Sequence, residues 1–266
     1  MIDTFQTENL TISYDDKIIV DNLNITVPVG KITALVGANG SGKSTILKTL
    51  ARLLQPKNGQ VLLDGKSIHT YSTKNVAKKL AILPQNPIAP DGLTVSELVA
   101  YGRYPHQKSF SSHSKEDFNI IHWAIDATGL SAFAESPVDE LSGGQRQRAW
   151  IALALAQKTP ILLLDEPTTF LDMGHQLDVL KLIRKLNEEQ QRTIIMVVHD
   201  LNHATRFADH IICIKKGEVH TEGNPLEVLT EKVLKDVFQI EATILIEPKT
   251  GVPVCIPTDS ITEETP

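Results

Sequence analysis

The chain opens on short apolar runs broken by polar turns. Residues 10–14, 18–20 and 23–27 alternate or cluster β-forming side chains. Asp15-Asp16 and Asp21-Asn22 lie between them, which predicts three short strands. Residues 31–36 predict another strand, and it runs into a glycine-rich loop. Leu47, Leu50 and Leu54 recur at helical spacing and predict a helix over 43–54. A turn at 56–59, a strand at 60–64, a short basic helix at 73–80 and a strand at 81–83 stopped by Pro84 complete this stretch.

Beyond Pro84 the period changes. Residues 86–92 are rich in Pro and Gly. From 94 to 157 the apolar positions follow helical spacing over 94–101, 115–128 and 143–157, with no convincing strand between them. This predicts a helical insertion, about 86–157, within an α/β core. The α/β alternation resumes with the all-apolar run 161–164, helix 174–190, strand 193–198, helix 201–207 and strand 211–214. Lys216-Gly217 reads as a tight turn, and short helices are expected near 225–229 and 231–238. One domain is expected over 1–240. Residues 241–266 read as an extension, with a hairpin of 243–246 and 252–256, then a loose acidic tail after Pro257.

Composition narrows the class. Of 266 residues, 41% are hydrophobic and 22% charged, which suits a globular chain and argues against global disorder. With 26 Lys and Arg against 32 Asp and Glu, the net charge is −6. Nucleic acid is therefore not an expected partner, because neutralising phosphates takes clustered cations. The two cysteines, Cys213 and Cys255, fit no metal or redox spacing and read as reduced thiols. The N-terminus lacks a signal pattern, and no apolar run approaches the ~18 residues of a membrane span. Service to a membrane is thus expected to go through a partner.

The glycine-rich loop carries the first chemistry. Gly37, Ala38, Asn39, Gly40, Ser41, Gly42, Lys43 and Ser44 fit the phosphate-loop template G-x-x-x-x-G-K-[ST], between a strand and a helix. Glycines let backbone N–H groups converge on phosphate oxygens, and the helix adds its positive end. Lys43 is expected on the β- and γ-phosphates and Ser44 on Mg²⁺, with Thr45 next in the nucleotide-binding set. The glycine spacing fits a dinucleotide fingerprint less well.

Asp165 and Glu166 end the apolar run 161–164. A buried strand lifts its last residues to the carboxyl edge of a sheet. Asp165 suits the Walker B task of holding Mg²⁺, and Glu166 suits a base or water-orienting role. Alone, the two acids could equally cap the next helix; a phosphate loop in the same chain favours the first reading. His199 and His203 stand i,i+4, a spacing a metal could use, but no third ligand is evident.

Leu141, Ser142, Gly143, Gly144 and Gln145 precede a helix that begins Arg146-Gln147-Arg148, which makes a second anion-receptive helix start. One nucleotide rarely needs two such sites in one chain, so a composite site completed by a second subunit is expected. With the phosphate loop and Walker B, this LSGGQ run resembles the nucleotide-binding subunits of ABC transporters, over about residues 10–238. The resemblance implies a P-loop NTPase of the α/β class, with a RecA-like core, an antiparallel β subdomain and an inserted helical subdomain. It implies ATP and Mg²⁺ as ligands and a head-to-tail homodimer in which the signature of one subunit binds the ATP of the other.

Residue by residue, the resemblance places Tyr14 on adenine and Gln85 as a sensor of Mg²⁺ and the γ-phosphate. His199 becomes the switch histidine and Asp172 the D-loop aspartate at the dimer seam. It makes Lys43, Glu166 and His199 the catalytic set, and Ser44, Gln85 and Asp165 the Mg²⁺ ligands. The runs 92–99, 102–106, 167–172 and 199–202 are most similar to ATPases of iron–siderophore importers of the hydroxamate or catecholate type, with vitamin B12 and haem importers in the same wider branch. The branch implies a membrane permease docked through about 86–106, a siderophore-binding protein acting indirectly, and a place on the cytoplasmic face of the membrane. A soluble ABC ATPase is the alternative; the compact interval of about a hundred residues between phosphate loop and signature favours a transporter subunit.

Overall fold

The computed structural model describes residues 3–107 and 113–261. Residues 108–112 of the expected insertion and 262–266 of the expected tail lie outside the described residues. In chain order the elements are β1 (Phe5–Tyr14), β2 (Lys17–Leu23), β3 (Ile32–Val36), α1 (Lys43–Leu50), β4 (Asn58–Leu63), β5 (Lys66–Ser67), α2 (Thr73–Ala77) and β6 (Leu80–Leu83). Next come α3 (Val95–Ala100), α4 (Lys115–Ala127), α5 (Gly143–Ala156), β7 (Ile161–Asp165), α6 (Met173–Gln190) and β8 (Thr193–Val197). The chain then forms α7 (Leu201–Phe207), β9 (His210–Lys215), β10 (Glu218–Gly223), α8 (Pro225–Val228), α9 (Glu231–Val233), β11 (Ile240–Ile246) and β12 (Pro253–Ser260). These elements form two compact units, one of residues 1–70 with 193–266 and one of residues 71–192.

The first unit holds an antiparallel sheet ordered β2-β1-β4-β5 and a run ordered β10-β9-β3-β8. In that run β3 is parallel to both β8 and β9, and β3 is buried throughout. The expected third strand at 23–27 does not form. Asn22, at φ 48, sits in a bulge of β2 rather than in a turn, because one extra residue separates the pairs Leu10↔Leu23 and Ile12↔Val20. The following stretch is held to β1 by Thr7 N–H to Ile25 O and Val27 N–H to Phe5 O, each 2.9 Å.

Strand β10 escaped the periodicity reading because Glu218, His220 and Glu222 carry no apolar stripe. It forms because Lys216 and Gly217 both adopt positive φ, 50° and 85°, the two-residue turn that matches strand twist. Strands β11 and β12 pair antiparallel from Ile240 to Ser260, longer than expected, so strand pairing continues past Pro257 to Ser260. Cys255, Leu229 and Leu234 pack with Phe238, Ile240, Ala242, Ile244 and Leu201. Asn202 accepts from Cys255 N–H at 2.7 Å and donates to Cys255 O at 3.0 Å, so its amide mimics a neighbouring strand.

The second unit holds the parallel pair β6-β7 and all of α3 to α6. It is wider than the helical insertion expected at 86–157, since β6, β7 and α6 belong with it. Helices α3, α4 and α5 each start on a capping box, Thr94 with Glu97, Ser114 with Asp117 and Ser142 with Gln145. A 3₁₀ turn over Tyr101–His106 follows α3, and a Cβ on Gly102 would lie 2.4 Å from Leu153 O, so α5 passes directly beneath it.

Arg103 is therefore not part of an open docking surface. It is buried, donating from Nε to Asp117 Oδ1 and from Nη1 to Ala156 O, both 2.7 Å. Burial alone would raise the Asp117 pKa, but hydrogen bonds from Arg103 and Ser114 outweigh it and hold the carboxyl at about 2. Arg103→Met should destabilise the chain by about 3–5 kcal/mol, because a buried carboxylate loses its partner. Asp117 is depressed in the folded state, so its contribution is present above the usual ~3.9 and is lost as pH falls toward about 2. Thermal melts across pH check this, and the stability gap between wild type and Asp117→Asn should close over that window.

Candidate functional site

The first unit builds the glycine-rich loop that the sequence expects to cradle phosphate. Strand β3 delivers the chain to Gly37, Gly40 and Gly42, whose φ values are 151°, 76° and 102°. A Cβ on Gly37 would lie 2.1 Å from Ile214 O of β9, so the loop and β9 touch backbone to backbone. Helix α1 starts at Lys43 on Gly42 without a side-chain cap. Lys43 is buried and its Nζ donates to Gly37 O and Ala38 O, each 2.9 Å, folding back under the loop. Ala38, Asn39 and Gly40 are exposed at the tip, and Ser44 and Thr45 are half-buried in the first helical turn.

Ser41 Oγ is buried and, among the described residues, has no hydrogen-bond partner. A buried, unpartnered hydroxyl in a glycine-rich turn at a helix start suits an anion site. Beneath the cradle, burial pushes the Cys213 thiol up to about 12 although Lys43 pulls the other way, so this cysteine is an inert packing residue. Tyr14 ends β1 at the hairpin tip and is 45% exposed, a ring left outside the core. His199 is exposed just past β8, and Asp200 Oδ1 accepts from the N–H groups of Asn202 and His203 at 2.7 and 3.1 Å, which fixes the start of α7.

The second unit builds a carboxylate turn and a signature helix. Strand β7 ends on Asp165, and Glu166 follows in a left-handed conformation at φ 53; both are buried. Gln85 Nε2 donates to Glu166 Oε2 at 2.5 Å, and Thr169 Oγ1 donates to the same oxygen at 3.0 Å. Ser142 caps α5, with Gln145 N–H to Ser142 Oγ at 3.3 Å and Ser142 N–H to Gln145 Oε1 at 2.9 Å. Leu141 is buried, whereas Gly143 is exposed and a Cβ there would meet nothing within 4 Å. Gly144 is different, since a Cβ would lie 2.9 Å from the His175 ring.

His175 in turn meets Asp172 Oδ2 through Nδ1 at 2.8 Å, and its N–H bonds Asp172 Oδ1 at 2.9 Å. The His175 N–H and ring hold the exposed Asp172 carboxyl below the usual carboxylate range. The second unit thus brings together Gln85 with Glu166, and Asp172 with the signature glycine. The sequence assigns no individual role to Thr169 and Asn202, which lie within the runs 167–172 and 199–202, and none to His175. Thr169 stands three residues after Glu166, a reach at which a hydroxyl can return to a carboxylate, and His175 is the third residue of a helix capped by Asp172. Those spacings were the available signals.

The ABC transporter profile matches residues 20–169. The chain belongs to the ABC transporter family. It is 57% identical over 263 residues to an iron(3+)-hydroxamate import ATP-binding protein of Bacillus subtilis (strain 168), covering 99% of this chain and 98% of that protein. It is 53% identical to a petrobactin import ATP-binding protein of Bacillus anthracis, covering 95% and 92%. Among solved structures, an inward-facing putative metal-chelate type ABC transporter aligns with TM-score 0.83 at 28% identity, over 96% of this chain and 97% of that one. The dimeric structure of a bacterial ABC transporter cassette aligns with TM-score 0.73 at 32% identity, over 83% and 98%. The chain therefore has the ABC cassette version of the P-loop NTPase fold, and it is an ATP-binding, ATP-hydrolysing subunit of that family.

Proposed function

We propose that this chain is the ATPase that powers import of iron–siderophore complexes through a membrane permease. The observation that carries the reading is near full-length similarity, at 57% and 53% identity, to two proteins named for import of iron(3+)-hydroxamate and petrobactin. The phosphate loop, Asp165, Glu166, the signature and His199 stand intact beside it. Residues 37–45 hold the ATP phosphates and Tyr14 stacks on adenine. Glu166 orients the attacking water, with His199 completing the γ-phosphate contacts.

Ser44, Gln85 and Asp165 each carry a hard oxygen of the kind Mg²⁺ prefers, which supports their assignment to the ion bound with ATP. When bound, the ion supplies Lewis-acid stabilisation of charge on the phosphates. The anion cradle around Ser41 and the signature helix at Ser142 are two phosphate-binding starts. A head-to-tail dimer uses both, each ATP lying between the phosphate loop of one copy and the Leu141, Ser142, Gly143, Gly144 and Gln145 signature of the other, with Asp172 at the seam. Its place is then the cytoplasmic face of the membrane, held there by the permease.

The docking face is drawn from 86–106, now without Arg103. A groove of about 540 Å³ is lined by Leu93, Tyr101, Tyr104, Phe118, Ile121 and His122, and both tyrosines and Phe118 are exposed. An apolar groove rimmed by tyrosines suits a short permease helix. Uptake of radiolabelled iron by hydroxamate, catecholate and carboxylate siderophores, with haem and vitamin B12 as controls, tests the reading in a deletion strain. Selective loss of siderophore uptake is expected. Tyr104→Asp should reproduce that loss while the purified protein keeps its ATPase. Loss of haem or vitamin B12 uptake alone, or unchanged uptake of every chelate in a strain without a second such ATPase, would overturn the cargo.

A further inference from the structure

We propose that Thr169 is a positioning residue for Glu166. Glu166 sits at φ 53, and Thr169 N–H closes the turn onto Glu166 O at 3.2 Å. A non-glycine residue holds this left-handed conformation only where its surroundings impose it. The same turn sends Thr169 Oγ1 back to Glu166 Oε2 at 3.0 Å, so one residue fixes both the backbone and the carboxylate of Glu166.

Gln85 is the second donor to that oxygen. The inference rests on the reading of Glu166 as the water-orienting carboxylate and of Gln85 as a Mg²⁺ ligand. Gln85 reaches that oxygen from 81 residues away, whereas Thr169 stands three residues from Glu166. Thr169 belongs to the turn of Glu166 itself, so its hydrogen bond does not depend on the Gln85 side chain. The hydroxyl therefore holds the carboxylate plane from within its own turn, and a carboxylate allowed to rotate presents its other oxygen to water less often.

Steady-state ATPase of the full chain, with kcat and KM separated, tests this on Thr169→Val, which keeps the branched shape and deletes the hydroxyl. The expected result is a kcat lower by about 10-fold with KM for ATP within about twofold of wild type. Thr169→Ser should restore kcat to within about twofold. An unchanged kcat in Thr169→Val would overturn the proposal, as would a loss that serine does not rescue. Thermal melts accompany each variant, and should Thr169→Val melt early, Thr169→Ala is read in its place against serine by the same criteria. Glu166→Gln is run beside them. If it keeps turnover, the reading of Glu166 fails; if it loses turnover while Thr169→Val does not, only the present inference fails.

Discussion

Glu166→Gln should bind ATP, hydrolyse it ~10²–10⁴ times more slowly and accumulate as an ATP-bound dimer. The substitution keeps the shape and an oxygen that can accept from Thr169, which stands at 3.0 Å. It removes the negative charge that draws a proton from water. Binding is expected to survive because the phosphate cradle is assembled in the other unit, from Gly37 to Thr45, with its own contacts to β9. ATP then supplies the contacts that favour the closed dimer, and hydrolysis no longer dissolves it. Single-turnover hydrolysis together with size-exclusion in the presence of ATP reads both effects. Turnover within about tenfold of wild type would remove Glu166 from its proposed role.

Gly37→Ala should lower ATP affinity by roughly 100-fold or more. Its Cβ would lie 2.1 Å from Ile214 O and 2.9 Å from Ser41 Oγ. The first obstacle is backbone and cannot rotate away, so either the loop or β9 moves. Movement of the loop displaces the N–H groups and Lys43, whose Nζ bonds Gly37 O itself. The overpacking should also cost about 1–3 kcal/mol of stability. Gly40→Ala is the control, because a Cβ there meets nothing within 4 Å and only its φ of 76° is unfavourable. It should cost about 1–2 kcal/mol and leave the Gly37 geometry intact. Titration with a fluorescent ATP analogue separates the two, and equal affinities would show that close approach to β9 does not shape the cradle.

The sequence by itself determined the local chemistry. The phosphate-loop template and the strand ending in Asp165-Glu166 are contiguous, so spacing exposes them, and the run 141–145 is legible as a capped helix start that the family resemblance makes a signature. Buried strands β3, β7 and β8 were legible because each is an uninterrupted run of apolar or β-branched residues. Helix α5 is legible from its Ser142 cap and helical spacing, and α7 from the resumed α/β alternation. Where pairing rather than burial sets the structure, the pattern misleads. The polar strand β10 is imposed by β9 and a two-residue turn, and the segment at 23–27 was read as a strand although the chain bulges at Asn22.

Tertiary structure decided the roles of residues that act across distance in the chain. Arg103 falls within the expected docking stretch and is instead buried against Asp117 and Ala156 O, because Gly102 lets α5 approach. Asn202 clasps Cys255 from 53 residues away, and Gln85 reaches Glu166 from 81. His175 fills the space above Gly144 while bonding Asp172. No one-dimensional period encodes such meetings, since they depend on how packed elements bring side chains together. Short-range hydrogen bonding and periodic burial are written along the chain, whereas the partners of a buried charge or a catalytic carboxylate exist only once the elements have packed.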